Sequence, residues 1–247
     1  MDSGTCIARG STAELYLCQD RVLKLFHERS SGTEAAYEAG KQRIAYACGL
    51  LAPQVFAVTR IEGRQAIVME YIQGPTIGEQ MRQNPAEAPS LLARSFEVQR
   101  SMHAKTVPDM EPMKDKLSRQ IKAALPLDAD CRERLLACLD EMFFPQQLCH
   151  GDFHVFNLVQ SQAGIAILDW ADASAGHPLA DVCRTYLLYL PHSTEWAEFY
   201  LQMVCAAYRV SRQAVLQWMP IVAGARLSER ISPEQAAPML GILRRTL

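Results

Sequence analysis

The first 72 residues contain several short, mainly apolar runs that are typical of β-strands. Strands are predicted, in chain order, near residue 7 and at residues 14–18, 22–26, 55–60 and 66–71. The second and third runs are separated only by Gln19-Asp20, which predicts a tight hairpin. The pattern therefore predicts a small, mainly antiparallel sheet at the start of the chain.

One helix is predicted inside this strand-rich segment, over residues 33–48. Ser31 and Glu34 have the spacing of a capping box, which indicates the helix start. Gly49 fits the C-terminal stop, and Pro53 prevents the helix from continuing. The predicted order is three strands, one helix and two strands.

Helical periodicity dominates the chain after the Gln73-Gly74-Pro75 breaker, which indicates a hinge. Helices are predicted at residues 90–105, 114–124, 129–142, 178–190, 194–209 and 211–224. Directly after the breaker, Thr76 and Glu79 have the spacing of a second capping box.

Residues 148–170 are a non-helical island that includes a small predicted hairpin around Ala163-Gly164. We therefore predict an α+β protein with an N-terminal lobe at residues 1–72 and a mainly helical C-terminal lobe at residues 73–247.

The composition of the 247 residues narrows the possible partners and compartments. A net charge of −2 and a pI near 6.3 do not favour a nucleic acid partner. No apolar run approaches the ~20 residues that span a bilayer, so no membrane partner is expected, and no signal peptide is visible. The eight cysteines form no CxxC pair, which favours reduced thiols and a cytoplasmic protein.

Three polar residues of the non-helical island form the strongest chemical pattern in the chain. Asp152 and Asn157 have the D-x-x-x-x-N spacing of a kinase catalytic loop, and Asp169 follows at the end of an apolar run. Phosphoryl transfer needs a group that accepts or orients a hydroxyl proton, and oxygen ligands for magnesium. Taken alone, Asp152 could cap a loop and Asp169 could end a strand.

Several segments in the same order resemble the aminoglycoside phosphotransferase and related small-molecule kinase family. They are GSTAELYLCQDRVLKLF, EAGKQRIAYACGLLAPQVF, HGDFHVFN and ILDWADASAGHPLADV. The resemblance spans nearly the whole chain, and the last two segments are specific. It implies a bilobal protein-kinase-like fold that binds ATP and Mg²⁺ and phosphorylates a hydroxyl of a small molecule.

The resemblance implies a role for each polar residue of these segments. Asp152 would be the catalytic residue, and Asn157 and Asp169 would bind Mg²⁺. His150 would shape the catalytic loop, and Asp181 would anchor it, although Asp181 also fits a charge at a helix N-terminus.

Lys24 lies in an apolar run and points away from both of its neighbours, as alternation in a strand requires. The alternatives are a solvated lysine and a phosphate clamp that pairs with a helix glutamate. The resemblance implies Glu38 as the partner, because the family's helix places its glutamate eleven residues before the position of Gly49, and Glu34 is the second choice.

The remaining expected cofactor contacts are mostly backbone groups. The loop residues Gly10, Ser11 and Thr12 would offer N–H groups to the phosphates, although a plain hairpin turn explains them equally well. The hinge residues Glu70, Tyr71 and Ile72 would bind adenine.

Val155 and Phe156 depart from the Pro-Gly that is frequent at this point in the family, which could change the backbone geometry before Asn157.

The sequence also has to be compared with three alternative functions: a protein kinase, a metallohydrolase and a regulatory module. Only eleven residues separate Asp169 from Asp181, too few for the activation segment of a protein kinase. His150, Asp152 and His154 would share one face of a strand and could bind zinc in a metallohydrolase. A pseudokinase-like nucleotide-binding regulatory module is a third possibility. The mixed charges of the C-terminal region do not argue for a polycationic acceptor, and neither the acceptor nor the oligomeric state follows from the sequence.

Overall fold

The computed structural model of the chain describes residues 4–28, 32–229 and 231–246. Contacts between residues divide it into two compact units. Unit 1 contains residues 1–85 and 155–172, and unit 2 contains residues 86–154 and 173–247. The predicted lobe boundary between residues 72 and 73 stays a prediction about functional lobes. The compact units differ from it because residues 73–85 and residues 155–172 also group with the N-terminal part of the chain.

Unit 1 is built on a five-stranded antiparallel sheet in the order β1-β2-β3-β5-β4. The strands are β1 (Thr5–Arg9), β2 (Ala13–Cys18), β3 (Arg21–Phe26), β4 (Val55–Ile61) and β5 (Arg64–Glu70). Helix α1 (Glu34–Ala47) packs on β4 and β5, and its alanines meet apolar side chains of the sheet in a small core. Thr33 precedes the helix, whereas Ser31 of the predicted capping box lies outside the described residues.

The rest of unit 1 consists of α2 (Ile77–Gln83) and a two-stranded hairpin of β7 (Leu158–Ser161) and β8 (Gly164–Ile167). The capping box at the start of α2 is confirmed. The Thr76 hydroxyl accepts a hydrogen bond from the Glu79 N–H at 3.1 Å, and the Glu79 carboxylate accepts one from the Thr76 N–H at 2.7 Å. The hairpin predicted around Ala163-Gly164 is also confirmed.

Unit 2 is mainly helical. Its helices are α3 (Ala88–His103), α4 (Met113–Ala123), α5 (Ala129–Asp140), α6 (Pro178–Tyr189), α7 (Thr194–Tyr208), α8 (Arg212–Leu216), α9 (Met219–Arg226) and α10 (Pro233–Thr246). Two three-residue strands, β6 (Gln147–Cys149) and β9 (Ser174–Gly176), pair next to them. Helix α6 contacts α7, α8, α9 and β6, so it lies at the centre of this unit.

The single helix predicted over residues 211–224 is wrong, because the structure has α8 and α9 with a break between them. Trp218 is buried at the break, and Pro220 follows at the first turn of α9, where a missing N–H costs little. Helix α10 was not predicted; Pro238 lies inside it, whereas Pro233 is its first residue, where proline is tolerated. No helix among the described residues is both long and apolar enough to cross a bilayer.

Candidate functional site

A buried ionic cluster in unit 1 joins three elements through one lysine. Lys24 Nζ of β3 lies 2.6 Å from Glu38 Oε1 of α1 and 3.2 Å from Asp169 Oδ1, just after β8. Lys24 and Glu38 are almost fully buried, whereas the Asp169 side chain is 47% exposed. Glu34 instead accepts a hydrogen bond from the Gln65 side-chain amide at 3.0 Å. Of the two candidate glutamates, Glu38 is therefore the one that contacts the lysine.

The charges of this cluster keep its lysine protonated. Burial alone would lower the pKa of Lys24, but the carboxylates of Asp169 and Glu38 outweigh it and raise that pKa above its usual value. One cation thus faces two anions. The net negative charge of the cluster lies on its exposed side, at Asp169, and favours the binding of a further cation there.

The backbone at Asp169 is held in the left-handed region, with a φ of 58°. Aspartate tolerates this conformation better than most residues, but it still costs energy unless neighbours enforce it. Trp170 does so by anchoring the segment, because its ring is fully buried and its Nε1 donates to the Ile167 carbonyl at 3.0 Å.

Asn157 lies at the same end of the β7–β8 hairpin as Asp169. Leu158 pairs with Ile167, and the Leu168 N–H donates to the Asn157 carbonyl at 2.8 Å. The hairpin thereby brings an amide and a carboxylate to neighbouring positions. Hard side-chain oxygens beside excess negative charge suit Mg²⁺, so the donor set fits that ion.

The turn before Asn157 is anchored by Val155 and Phe156, which stand where the family frequently has Pro-Gly. Val155 is buried, and the Phe156 ring packs on Gly78 of α2 so closely that a Cβ at Gly78 would overlap the ring. The Arg82 guanidinium lies 4.5 Å from the Phe156 ring centroid. The turn is therefore attached to α2 by side-chain packing.

The loop residues Gly10, Ser11 and Thr12 form a tight exposed turn between β1 and β2. The Gly10 N–H donates to the Ala13 carbonyl at 2.8 Å, and the Thr12 carbonyl accepts from the His27 N–H at 2.9 Å. This geometry is compatible with a hairpin turn and with a loop that covers phosphates.

The predicted hinge residues begin where β5 ends, at Glu70. Glu70, Tyr71 and Ile72 line a cavity of about 490 Å³. Neither Lys24 nor Asp169 lines it, so the cavity is not assigned to the phosphates.

In unit 2, side chains of helix α6 hydrogen-bond to both the N–H and the carbonyl of Gly151. Asp181 Oδ1 accepts a hydrogen bond from the Gly151 N–H at 2.6 Å, and Arg184 Nε donates to the Gly151 carbonyl at 3.0 Å. Gly151 has a φ of 80°, a conformation open to glycine at no steric cost. The two residues are three apart and share one face of the helix. They therefore fix the turn that carries Asp152.

Asp152 lies between a guanidinium and an imidazole. Arg184 Nη2 is 3.3 Å from its Oδ1, and His154 Nε2 is 3.4 Å from its Oδ2. Burial alone would raise the pKa of Asp152, but the His154 hydrogen bond and the Arg184 charge hold it well below the usual range. Asp152 is thus ionised at any physiological pH. Arg184 was missed by the sequence analysis, although its position one helical turn after Asp181 was a usable signal.

Asp181 is completely buried within a network of polar side chains. His103 Nε2 lies 2.9 Å from its Oδ2, and the Gln99 amide donates to the same oxygen at 3.2 Å. Burial would raise the pKa of Asp181, but the His103 hydrogen bond and the Gly151 N–H lower it to about 2. These contacts use the lone pairs of a carboxylate that would otherwise be costly to bury.

The structure bears on both possible sites for a transition metal. Strand β6 ends at Cys149, so His150, Asp152 and His154 do not share a strand face as the zinc alternative requires. A potential ligand cluster among the described residues is His103, Cys149 and Asp181, but the histidine and the aspartate already hydrogen-bond to protein groups. The donor geometry therefore gives the metallohydrolase alternative no support.

Comparison with solved structures shows the fold. A thermostable mutant of an aminoglycoside phosphotransferase, in a ternary complex with AMP-PNP and hygromycin B, matches with a TM-score of 0.74 and 14% identity, covering 99% of this chain and 92% of that one. A choline/ethanolamine kinase family protein from Mesorhizobium loti has a TM-score of 0.67 and 18% identity, covering 96% and 85%. The choline kinase LicA from Streptococcus pneumoniae has a TM-score of 0.67 and 14% identity, covering 99% and 94%. The chain thus has a kinase-like fold.

Among curated proteins, acyl-CoA dehydrogenase family member 11 from Homo sapiens is 26% identical over 152 residues, covering 53% of this chain. The chain spans only 20% of the length of that relative. The sequence profile of the phosphotransferase enzyme family matches residues 5–218, which is most of the chain. The chain therefore belongs to the phosphotransferase enzyme family.

Proposed function

We propose that this protein is an ATP- and Mg²⁺-dependent phosphotransferase that moves the γ-phosphoryl group to a hydroxyl of a small molecule. The observation that carries the proposal is the buried Lys24–Glu38 ion pair with Asp169 beside it. Burying a lysine and a glutamate costs more desolvation free energy than their attraction usually returns, so such a pair is weak evidence for a purely structural role. A phosphate-binding role explains it.

On the nucleotide side, Lys24 would contact ATP phosphates while Glu38 keeps its ammonium in place. The loop residues Gly10, Ser11 and Thr12 would offer backbone N–H groups to the same phosphates. The hinge residues Glu70, Tyr71 and Ile72 would bind adenine through their backbone. Solved structures of the fold in complex with AMP-PNP support a nucleotide partner.

Asn157 and Asp169 would hold Mg²⁺, which when bound neutralises phosphate charge and helps to align the γ-phosphoryl group. The Leu168–Asn157 hydrogen bond would keep these two ligands at neighbouring positions. The conformation enforced at Asp169 would preorganise its carboxylate for the ion.

Asp152 would orient the acceptor hydroxyl and accept its proton as the acceptor oxygen bonds to the γ-phosphorus and the bond to the ADP oxygen breaks. Its depressed pKa makes it a weak base. This suffices in a loose transition state, where the proton is lost late and positioning matters most. His150 and Asp181 would support the turn that carries Asp152. An ATP-dependent enzyme with reduced thiols fits the cytoplasm.

The test is calorimetric titration of ATP into the protein, with and without Mg²⁺. We expect binding that depends on Mg²⁺ in the wild type and falls about tenfold or more in Asp169→Asn, since one charged oxygen ligand is lost. Asp172→Asn is the matched control, because it removes a nearby carboxylate outside the proposed ligand set. If the wild type does not bind ATP, the proposal is wrong.

Transfer is tested separately by measuring ADP production with a panel of hydroxyl compounds. We expect production above the acceptor-free rate in the wild type, and a loss of about 10³-fold or more in Asp152→Asn. Nucleotide binding without transfer to any acceptor would favour the regulatory-module alternative.

A further inference from the structure

Helix α1 carries a buried lysine, Lys41, about one turn after Glu38. Its ammonium group donates a hydrogen bond to the Ala171 carbonyl oxygen at 2.9 Å. The same group lies 4.1 Å from the centroid of the Tyr37 ring, one turn earlier on the helix. Only 4% of Lys41 is exposed. The proposed function gives this lysine no role, although its contact lies two residues after the proposed Mg²⁺ ligand Asp169.

The burial of Lys41 makes its contact with Ala171 a fixed one. A buried ammonium group is costly because it gives up its hydration, and lysine side chains usually avoid this by extending to solvent. A hydrogen bond to a carbonyl and contact with an aromatic face offset part of the cost, provided that the group stays in place. The Lys41–Ala171 hydrogen bond therefore links α1 firmly to the segment that follows Asp169.

Helix α1 is itself held on the sheet of unit 1 by buried polar contacts. At its start, the Ala35 N–H donates to the side-chain oxygen of Gln65 at 3.3 Å. Further along, the Gln42 side-chain amide donates to the Pro53 carbonyl at 2.7 Å. The lysine therefore acts from an element whose position in the unit is fixed.

The segment from Asp169 to Ala171 is attached to α1 at both of its ends. Asp169 is bound through Lys24, which also pairs with Glu38. Ala171 is bound directly by Lys41. Glu38 and Lys41 are three residues apart on the helix and so occupy neighbouring positions of one face. All of these residues belong to unit 1. One face of α1 therefore fixes both ends of the segment.

The second attachment matters because the backbone at Asp169 lies in the left-handed region, with a φ of 58°. Such a conformation persists only where the surroundings enforce it. The buried Trp170 ring holds the residue after Asp169, and the Lys41 hydrogen bond holds the carbonyl of the residue after that. Without this bond the segment would be free to relax towards a commoner conformation, and the Asp169 carboxylate would move with it.

We propose that Lys41 is a positioning residue, whose hydrogen bond to the Ala171 carbonyl keeps the Asp169 carboxylate where it binds Mg²⁺. The proposal rests on the proposed function and adds to it a residue outside the ligand set. Lys41 acts through the backbone of residues 169–171, so the role needs no contact with nucleotide or metal. Its loss should therefore weaken the part of ATP binding that depends on Mg²⁺ and spare the part that does not.

The experiment is calorimetric titration of ATP into the wild type and Lys41→Met, each with and without Mg²⁺. Methionine keeps a long, flexible side chain and removes the charge. We expect the affinity with Mg²⁺ to fall about tenfold, as for one lost hydrogen bond from a charged group, and the affinity without Mg²⁺ to change less than about twofold. Lys116→Met on α4 is the matched control, because Lys116 is a similarly buried lysine in unit 2, and it should change neither affinity.

A double-mutant cycle with Asp169→Asn separates a positioning role from a general structural one. In the Asp169→Asn background, Lys41→Met should weaken ATP binding with Mg²⁺ by less than about a further twofold, since the carboxylate that it positions is already gone. If Lys41→Met does not fold, Lys41→Gln, which has a shorter side chain with a neutral donor, replaces it with the same expected results. Additive losses in the cycle would overturn the proposal.

ATP binding by the wild type with and without Mg²⁺ is measured first, so a failure of the proposed function is seen before any Lys41 variant is tested. If wild-type binding depends on Mg²⁺ and Lys41→Met binds ATP equally well, the positioning proposal is wrong while the kinase proposal stands. Equal losses of affinity with and without Mg²⁺ would also overturn it, since they would indicate a general effect on the nucleotide site.

Discussion

At the scale of single residues, the two candidate aspartates are tuned in different ways. Asp169 is half exposed and shares the positive charge of Lys24 with Glu38. Asp152 is bound on one side by Arg184 and on the other by His154. The first arrangement leaves negative charge available to a cation, and the second keeps a carboxylate ionised and oriented. The neighbouring charges therefore suit Asp169 to binding a cation and Asp152 to orienting a hydroxyl group.

Replacing Arg184 by glutamine tests this tuning at Asp152. The folded-state pKa of Asp152 is depressed partly by Arg184, so its removal should raise that pKa. The Asp152 carboxyl group should therefore take up its proton at higher pH in Arg184→Gln, by roughly one pH unit for each ~1.4 kcal/mol of lost interaction. Carboxyl-carbon NMR titration of both proteins, down to the lowest pH at which they stay folded, measures it. Arg212→Gln, which breaks a surface pair with Glu198, should leave the Asp152 titration unchanged; identical Asp152 titrations of Arg184→Gln and the wild type would contradict the assignment.

At the scale of elements, short connections position the proposed ligands by packing on neighbouring helices. The turn at Val155–Asn157 is attached to α2 because the Phe156 ring fills the space left by Gly78. In unit 2, one face of α6 supplies both Asp181 and Arg184 to the turn at Gly151. In each case a regular element fixes an irregular segment that carries the chemistry.

Gly78→Ala tests the packing of the turn. The added methyl would overlap the Phe156 ring, so we expect a loss of about 1–3 kcal/mol in the free energy of unfolding. Because Asn157 adjoins the displaced ring, Mg²⁺-dependent ATP affinity should fall as well. Denaturant unfolding and calorimetry measure the two effects. The matched control is Gly40→Ala on α1, where a Cβ meets no atom, and it should be neutral or stabilising by up to ~1 kcal/mol. Equal behaviour of the two variants would refute the argument.

At the scale of the whole molecule, each compact unit has its own organisation. Unit 1 buries a sheet against one helix, and its interior includes the charged Lys24–Glu38 pair. Unit 2 surrounds helix α6, and its interior includes the polar network of Asp181 with Gln99 and His103. Both units therefore contain buried polar groups that must be paired for the fold to be stable.

The Asp181 network predicts how stability depends on pH. The folded-state pKa of about 2 lies below the usual aspartate value, so Asp181 contributes stability that is present above pH ~4. This contribution is lost as the pH falls through about 2. Asp181→Asn should lower the free energy of unfolding at pH 7 by about 3 kcal/mol, because it leaves buried donors unpaired.

Denaturant unfolding at several pH values measures both effects. The variant should lose less stability than the wild type between pH 4 and pH 2, and Asp172→Asn should follow the wild type. Parallel curves for Asp181→Asn and the wild type would count against the network.

Patterns in the sequence were sufficient for most of the elements, because periodicity and capping residues act locally. They predicted the strands of unit 1, the long helices and the capping box at Thr76. They failed for α10, which has Pro238 inside it, and for the break between α8 and α9, where Trp218 is buried. The short strands β6 and β9 were also missed, since three residues carry no readable period.

Residue types at fixed spacings along the chain were enough to identify the fold class, the family and the candidate residues, because strand and helix periods and motif spacings are local properties of the chain. The three-dimensional structure was needed to show that Lys24 pairs with Glu38 and not Glu34, that Phe156 packs on Gly78, and that Arg184 pairs with Asp152. These contacts, together with that of Lys24 and Asp169, join residues up to 145 positions apart in the chain. Charge pairing and burial depend on distances in space, which local sequence patterns do not contain.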